Sequence, residues 1–119
     1  MTEGPHDRTP EVRVVLVTVP DMDTGLRLVR RLVEEGLVAC GNVIPGVTSV
    51  YRWEGKVQED PEALVVLKTA EKRLAGLQAR VMELHSYEVP ELLVLPVAGG
   101  YDPYLRWVVD EVSLMDGIG

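Results

Sequence analysis

The chain has 119 residues, of which 46% are hydrophobic and 26% charged, a balance that predicts one globular domain. Nineteen acidic residues outnumber twelve basic ones, which gives a net charge of −7 at pH 7. Nucleic acids and anionic membranes are bound by basic faces, so this charge argues against both as main partners and favours cations. With Cys40 as the single cysteine and no apolar signal-like run at the start, we expect a reducing, cytoplasmic setting.

The two ends of the chain are polar, and the stretch between them has regular hydrophobic periodicity. We expect residues 1–10 to form a disordered tail and residues 115–119 to form a flexible one. Residues 11–114 are then a single domain. The β-branched run VRVVLVTV (12–19) predicts its first strand, which a proline ends.

A helix is predicted between Asp21 and Gly36, since aspartate is a favoured N-cap and glycine commonly ends a helix. A long β-hairpin follows. The chain is strand-like from Ala39 to Trp53, with a bulge or kink predicted at Pro45-Gly46. EGK (54–56) predicts a tight turn, and ALVVLKT (63–69) predicts the end of the returning strand.

Two more helices and a fourth strand complete the predicted domain. EKRLAGLQARVMELH (71–85) and YLRWVVDEV (104–112) have apolar residues at helical spacing, and LLVLPV (92–97) lies between them. The order β-α-β-β-α-β plus a final helix predicts an α+β, ferredoxin-like fold with an antiparallel sheet. Because the strands are apolar at odd and even positions, both faces of this sheet need cover, and two helices cover only one.

Cys40 and His85 are the residues whose chemistry is open to more than one interpretation. Cys40 is either a small buried residue or a thiolate metal ligand. His85, near the end of the second helix, either complements the helix dipole as a cation or binds a metal as a neutral ring. A third alternative joins the two into a nucleophilic dyad, oriented by Glu88 or Asn42, which would make the protein an enzyme.

The stretch LHSYEVPE (84–91) contains His85 together with a tyrosine and two carboxylates. It connects a predicted helix to a predicted strand, and Pro90 holds the preceding residue extended. We interpret the stretch as a structural joint first and as part of a site second.

Four segments together resemble the CutA family, which is named for divalent-cation tolerance. They are ACGNVIPGVTSVYRWEGKVQED (39–60), LKT (67–69), LHSYEVPELLVLPV (84–97) and YLRWVVDEV (104–112). The resemblance implies a ferredoxin-like fold, a heat-stable homotrimer and a non-enzymatic role in metal tolerance. It also implies binding of copper(II) or another divalent cation, which is not an obligatory cofactor. Gly41 and Ser86 depart from the family pattern, which has a larger apolar residue and a proline there.

The resemblance also assigns candidate site residues, position by position. Candidate metal ligands are Cys40, His85 and Glu88. Candidate residues of a ligand cleft are Trp53, Glu62, Lys68 and Tyr87. Our main hypothesis is a copper-binding homotrimer to which Cys40 or His85 contributes. The alternative is a sensor like the PII signalling proteins, whose clefts between subunits bind a small anion near Lys68.

The length of the hairpin predicts an oligomer without reference to the family. Its first strand, about 15 residues long, would extend to about 50 Å, whereas a compact domain of this length is about 35 Å across. We expect the overhanging part to pair with another copy through Val47, Val50, Tyr51 and Trp53. The number three comes from the resemblance.

Overall fold

The computed structural model describes residues 11–114 and residue 116. The elements are β1 (Val12–Val19), α1 (Met22–Glu34), β2 (Cys40–Trp53), β3 (Lys56–Ala70), α2 (Leu74–Leu84), β4 (Leu92–Pro96) and α3 (Asp102–Glu111). A short 3-10 turn, Glu71–Arg73, leads into α2. The predicted tails lie outside the described residues apart from Asp116, whose carboxylate accepts hydrogen bonds from Lys72 and Arg73.

The four strands form one sheet in the order β2-β3-β1-β4, and all neighbouring strands are antiparallel. Together with the order of the elements along the chain, this sheet confirms the predicted ferredoxin-like, α+β fold. β1 is one of the two central strands and pairs with β3 on one side and β4 on the other.

β2 and β3 form the predicted long hairpin. The register shifts between Ile44 and Val47, which confirms the predicted bulge at Pro45-Gly46. The turn consists of Glu54 and Gly55, both at positive φ, as in the tight turns that suit hairpins. Lys56 pairs with Trp53, so β3 starts directly after the predicted turn, and ALVVLKT (63–69) lies at its end as predicted.

α1 begins and ends as predicted. The Asp21 side chain accepts a hydrogen bond from the backbone N–H of Thr24 at 2.8 Å, and Gly36 follows the helix with φ of 73°. The apolar side of α1 packs on one face of the sheet with α2. This core contains Val15, Val17, Val19, Leu28, Leu32, Val38, Ala63, Val65, Leu67, Leu77 and Val81.

The opposite face of the sheet is covered at one end only. There α3 packs Leu105, Val108 and Val112 against Val12 and Ala70. The second face, which the sequence predicted to need cover beyond the first two helices, is thus covered in part by α3. Beyond α3, this face leaves large apolar side chains exposed, among them Ile44, Leu93 and Leu95.

The molecule is elongated. Its principal extents are 53 × 35 × 23 Å and its radius of gyration is 15.8 Å, whereas a compact domain of this length would have about 13–14 Å. The end of the hairpin exposes Val50, Tyr51, Trp53 and Val57. An exposed apolar ribbon of this kind tends to associate with another protein surface in water, which removes its apolar side chains from the solvent.

Candidate functional site

A groove of about 840 Å³ lies where the hairpin meets the loop between α2 and β4. Its lining residues are Thr18, Pro20, Ser49, Val50, Tyr51, Trp53, Asp60, Pro61, Glu62, Tyr87, Glu88, Val89 and Glu91. Three elements build it: the end of β1, the two strands of the hairpin, and the LHSYEVPE stretch. We call it the acidic groove, because four of these residues are carboxylates and none is basic.

Two of the carboxylates are held by tyrosine hydroxyls. The Tyr87 hydroxyl donates to Oε2 of Glu62 at 2.6 Å, and the Tyr51 hydroxyl donates to Asp60. Burial, followed by the hydrogen bond to Glu62, raises the pKa of Tyr87. The hydrogen bond to Asp60 raises the pKa of Tyr51. Both phenols therefore stay protonated donors, and each binds one oxygen of a carboxylate that lines the groove.

Glu88 and Glu91, the other two carboxylates, lie at the surface of the groove. They make no hydrogen bond or ion pair with any residue in the described part of the chain. With no cation beside them, they leave the groove with uncompensated negative charge. Oxygen donors of this type suit hard divalent cations, and copper(II) binds most donor sets more tightly than the other first-row divalent ions.

His85 lies directly behind the groove and does not line it. Its Nε2 is 2.7 Å from the backbone carbonyl oxygen of Thr18, and its Nδ1 is 3.1 Å from the backbone nitrogen of Tyr87. Its ring also packs against the Tyr87 ring, with the ring centroids 4.6 Å apart. As the C-cap of α2, it is near the helix end, as predicted, but its ring turns toward β1.

Cys40 and Lys68 lie away from the groove. They pair with each other across β2 and β3, and Lys68 in turn pairs with Val14 of β1. Val14 is four residues from Thr18, where His85 binds, so about 13 Å of strand separates the two regions. The half-buried thiol of Cys40 is 3.5 Å from the Tyr104 hydroxyl, and the Lys68 ammonium donates to Asn42.

The structure thus gathers some predicted site residues and separates others. The groove brings together Trp53, Glu62, Tyr87 and Glu88, whereas Cys40 and Lys68 are remote and His85 touches the groove only through Tyr87. The Cys40–His85 dyad does not form within one chain. Among the residues that the structure describes, no three histidine, cysteine, aspartate or glutamate side chains are arranged to hold a metal ion.

Asp60 and Glu91 belong to the groove but were not among the predicted site residues. Glu91 was inside the LHSYEVPE stretch and could have been included. Asp60 pairs with Ser49 across the hairpin, two pairs away from the Tyr51–Gln58 pair. Diagonal neighbours of this kind are within reach of a long side chain, so the register of the hairpin was the signal that would have identified Asp60.

Comparison with known proteins gives a consistent family. The family model described as "CutA1 divalent ion tolerance protein" matches residues 13–111. A divalent-cation tolerance protein CutA of Thermus thermophilus is 47% identical over 95 residues, covering 80% of this chain and 92% of that protein. The chloroplastic CutA of Arabidopsis thaliana is 48% identical over 95 residues, covering 80% of this chain. This match spans about half (52%) of the length of the plant protein.

Solved structures agree with the fold. CutA1 of Oryza sativa superposes with a TM-score of 0.84 at 45% identity, covering 88% of this chain and 96% of that one. The Thermus thermophilus structure gives a TM-score of 0.82 at 45% identity, covering 84% and 97%.

The family description bears on the expected activity, and the names of individual relatives bear on the expected location. The family description names tolerance to divalent ions and no reaction, in agreement with the predicted non-enzymatic role. The names of relatives place one in the chloroplast and another, of Archaeoglobus fulgidus, in the periplasm, so a cytoplasmic location stays a prediction. In the described part of the chain, no helix is both long and apolar enough to cross a membrane. On the family model and the identities of its relatives, this chain belongs to the CutA1 divalent ion tolerance protein family.

Proposed function

We propose that this chain binds divalent cations, copper(II) among them, and acts as a homotrimer in metal tolerance. The observation that carries the proposal is the charge of the acidic groove, which four carboxylates line without a basic residue. Membership of a family described by divalent ion tolerance supports the same role.

Glu88 and Glu91 are the first ligands we propose, because their carboxylates have no partner among the described residues. Glu62 and Asp60 each retain a second oxygen beside the one that a tyrosine hydroxyl holds. A cation in the groove would therefore be attracted by all four carboxylates, and side-chain movement would have to bring its ligands together, since no three of them converge among the described residues. Cys40, the first residue of β2, lies away from the groove and is a candidate ligand of a separate site and not of this one.

The trimer is supported by the surfaces that a single chain leaves open. The sheet face beyond α3 and the end of the hairpin both expose large apolar side chains. β4 is an edge strand whose Leu93, Val94 and Leu95 are all exposed. Edge strands and apolar faces of this kind are commonly covered in closed oligomers, and family resemblance supplies the number three.

The alternative function, a sensor of a small anion near Lys68, receives less support from the charges. The groove would repel an anion, and the Lys68 ammonium is already bound to Asn42. Thermal shift against divalent cations and nucleotides separates the two functions. A shift with cations alone agrees with our proposal, and a shift with a nucleotide supports the sensor.

The sharper test of the proposal is calorimetric titration with copper(II). We expect the variant Glu88→Gln/Glu91→Gln to bind about tenfold or more weakly than the parent, since even the loss of an outer contact to a metal ligand costs 10–100-fold. Glu34→Gln/Glu111→Gln, which changes the net charge equally outside the groove, should keep the parent affinity. Cys40→Ala in the same titration shows whether the thiol forms a second site. Equal isotherms for the two double variants, or no binding by the parent, would refute the proposal.

A further inference from the structure

The hydrogen bonds of His85 define the protonation of its ring. The backbone N–H of Tyr87 can only donate, so Nδ1, at 3.1 Å, must accept and carries no proton. The carbonyl oxygen of Thr18 can only accept, so Nε2, at 2.7 Å, must donate. The neutral ring with its proton on Nε2 is the one form that satisfies both contacts.

Both nitrogens of this ring are thereby in use. A metal ion needs the lone pair of an unprotonated nitrogen. The lone pair of Nδ1 receives the Tyr87 N–H, and Nε2 bears the proton bound to Thr18. Binding a metal through either nitrogen would break one of the two contacts, and the ring does not line the acidic groove.

The same contacts connect His85 to a groove carboxylate. His85 accepts from the backbone of Tyr87 and packs against its ring at 4.6 Å between centroids. The hydroxyl of Tyr87 then donates to Oε2 of Glu62 at 2.6 Å. His85 therefore connects the backbone of β1 to the backbone of Tyr87, and the covalent frame of Tyr87 connects that point to the hydroxyl that binds Glu62.

We propose that His85 is a positioning residue: it fixes Tyr87, and through Tyr87 it holds the Glu62 carboxylate in the orientation that faces a cation in the groove. This inference rests on the proposed function for its effect on cation binding. It goes further by giving the histidine a role without metal ligation. Orienting contacts to metal ligands elsewhere are worth 10–100-fold in affinity, so the effect should be measurable.

Two substitutions separate the contacts of the ring. In His85→Asn, the side-chain oxygen lies near the position of Nδ1 and can accept from Tyr87. In His85→Gln, the side-chain amide reaches toward the position of Nε2 and can donate to Thr18. We expect His85→Asn to retain most of the copper(II) affinity and His85→Gln to lose about tenfold or more. Tyr87→Phe, which removes the hydroxyl, should cost a similar factor, and combining it with His85→Gln should add little.

Nuclear magnetic resonance of the parent protein keeps the proposal testable should a variant fail to fold. Since the chain has two histidines, His6→Gln assigns the ring signals of His85. We expect the ring to be neutral with its proton on Nε2, and its ring nitrogen shifts to stay unchanged at saturating Zn²⁺, a diamagnetic probe. A ring protonated on Nδ1, or a nitrogen shift typical of metal ligation, overturns the positioning role. Equal losses for His85→Asn and His85→Gln overturn it as well.

The inference and the proposed function fail in different ways. If the parent binds neither copper(II) nor Zn²⁺, the proposed function is wrong. The proposed effect of His85 on cation binding is then overturned as well, whatever the spectrum of the ring shows. If the parent binds copper(II) and His85→Gln binds equally well, only the positioning role is overturned.

Discussion

At Gly41, α1 packs directly against the backbone of β2. A Cβ atom added there would lie 2.9 Å from Cδ2 of Leu67 and 2.9 Å from Cγ1 of Val29. These two side chains occupy the space that a side chain at position 41 would need. Glycine at position 41 therefore has a packing reason: Leu67 and Val29 leave no room for a Cβ atom.

We predict that Gly41→Ala destabilises the protein by about 1–3 kcal/mol, because overpacking a filled core strains its neighbours. Adding Val29→Ala should recover part of the loss. The control is Gly76→Ala in α2, where the new Cβ meets only Leu37 at 3.4 Å and helix propensity predicts a gain of about 0.5–1 kcal/mol. Denaturant unfolding measures all three, and a neutral Gly41→Ala would contradict the packing account.

Among the elements, α1 and α2 are joined by a forked ion pair. Arg80 donates through Nε to Oε1 of Glu35 at 2.8 Å and through Nη2 to Oε2 at 2.9 Å. Arg31 binds the same carboxylate from within α1. The bond with Arg80, and then that with Arg31, lowers the pKa of Glu35 below its ordinary 4.5.

This pair predicts a dependence of stability on pH. Because the folded pKa of Glu35 is the lower one, its contribution is fully present above pH 4.5 and is lost as the pH falls through the folded value. We expect Glu35→Gln to reduce the thermal midpoint at neutral pH and to make its decline in acid shallower. Glu34→Gln, next to it on α1, is the matched control. If the thermal midpoints of Glu35→Gln and of the parent fall in parallel as the pH is lowered, the ion pair makes no pH-dependent contribution to stability.

Elements with strong local patterns were predictable from the sequence, and contacts set by register were not. The β1 strand was predicted at its observed bounds because a β-branched run ended by Pro20 is a local signal. The start of β3 followed only from the turn predicted at EGK (54–56), because QEDPE (58–62) is polar and joins the strand through pairing with β2. The acidic groove depends on that pairing and on the loop contacts of His85. The amino-acid composition therefore predicted an excess of negative charge but did not identify the residues that line the groove.

For the whole molecule, the elongated shape and open apolar surfaces predict a stable oligomer. We expect light scattering to give a mass near 40 kDa, three times the 13.2 kDa of one chain. Replacing two exposed hairpin residues, as in Val50→Asp/Trp53→Asp, should weaken association, because these side chains would be buried between copies. A stable monomer of the parent at micromolar concentration would contradict both the number and the packing argument.

The composition predicts high thermal stability. The chain has eight prolines, one asparagine and two glutamines, and scarce amides with frequent proline are typical of heat-adapted proteins. An oligomer adds to this, because dissociation must accompany unfolding. We expect a calorimetric midpoint above about 90 °C, and one at about 45–65 °C would count against the prediction.

Anomalous diffraction from crystals soaked in copper(II) would show whether the acidic groove takes a divalent cation. Our account predicts anomalous density in the groove, within bonding distance of carboxylate oxygens of Glu62, Glu88 or Glu91. It also predicts no copper bonded to the ring nitrogens of His85, which Thr18 and Tyr87 occupy. Density only at Cys40 or elsewhere, or a groove that stays empty at saturating copper(II), would contradict the account.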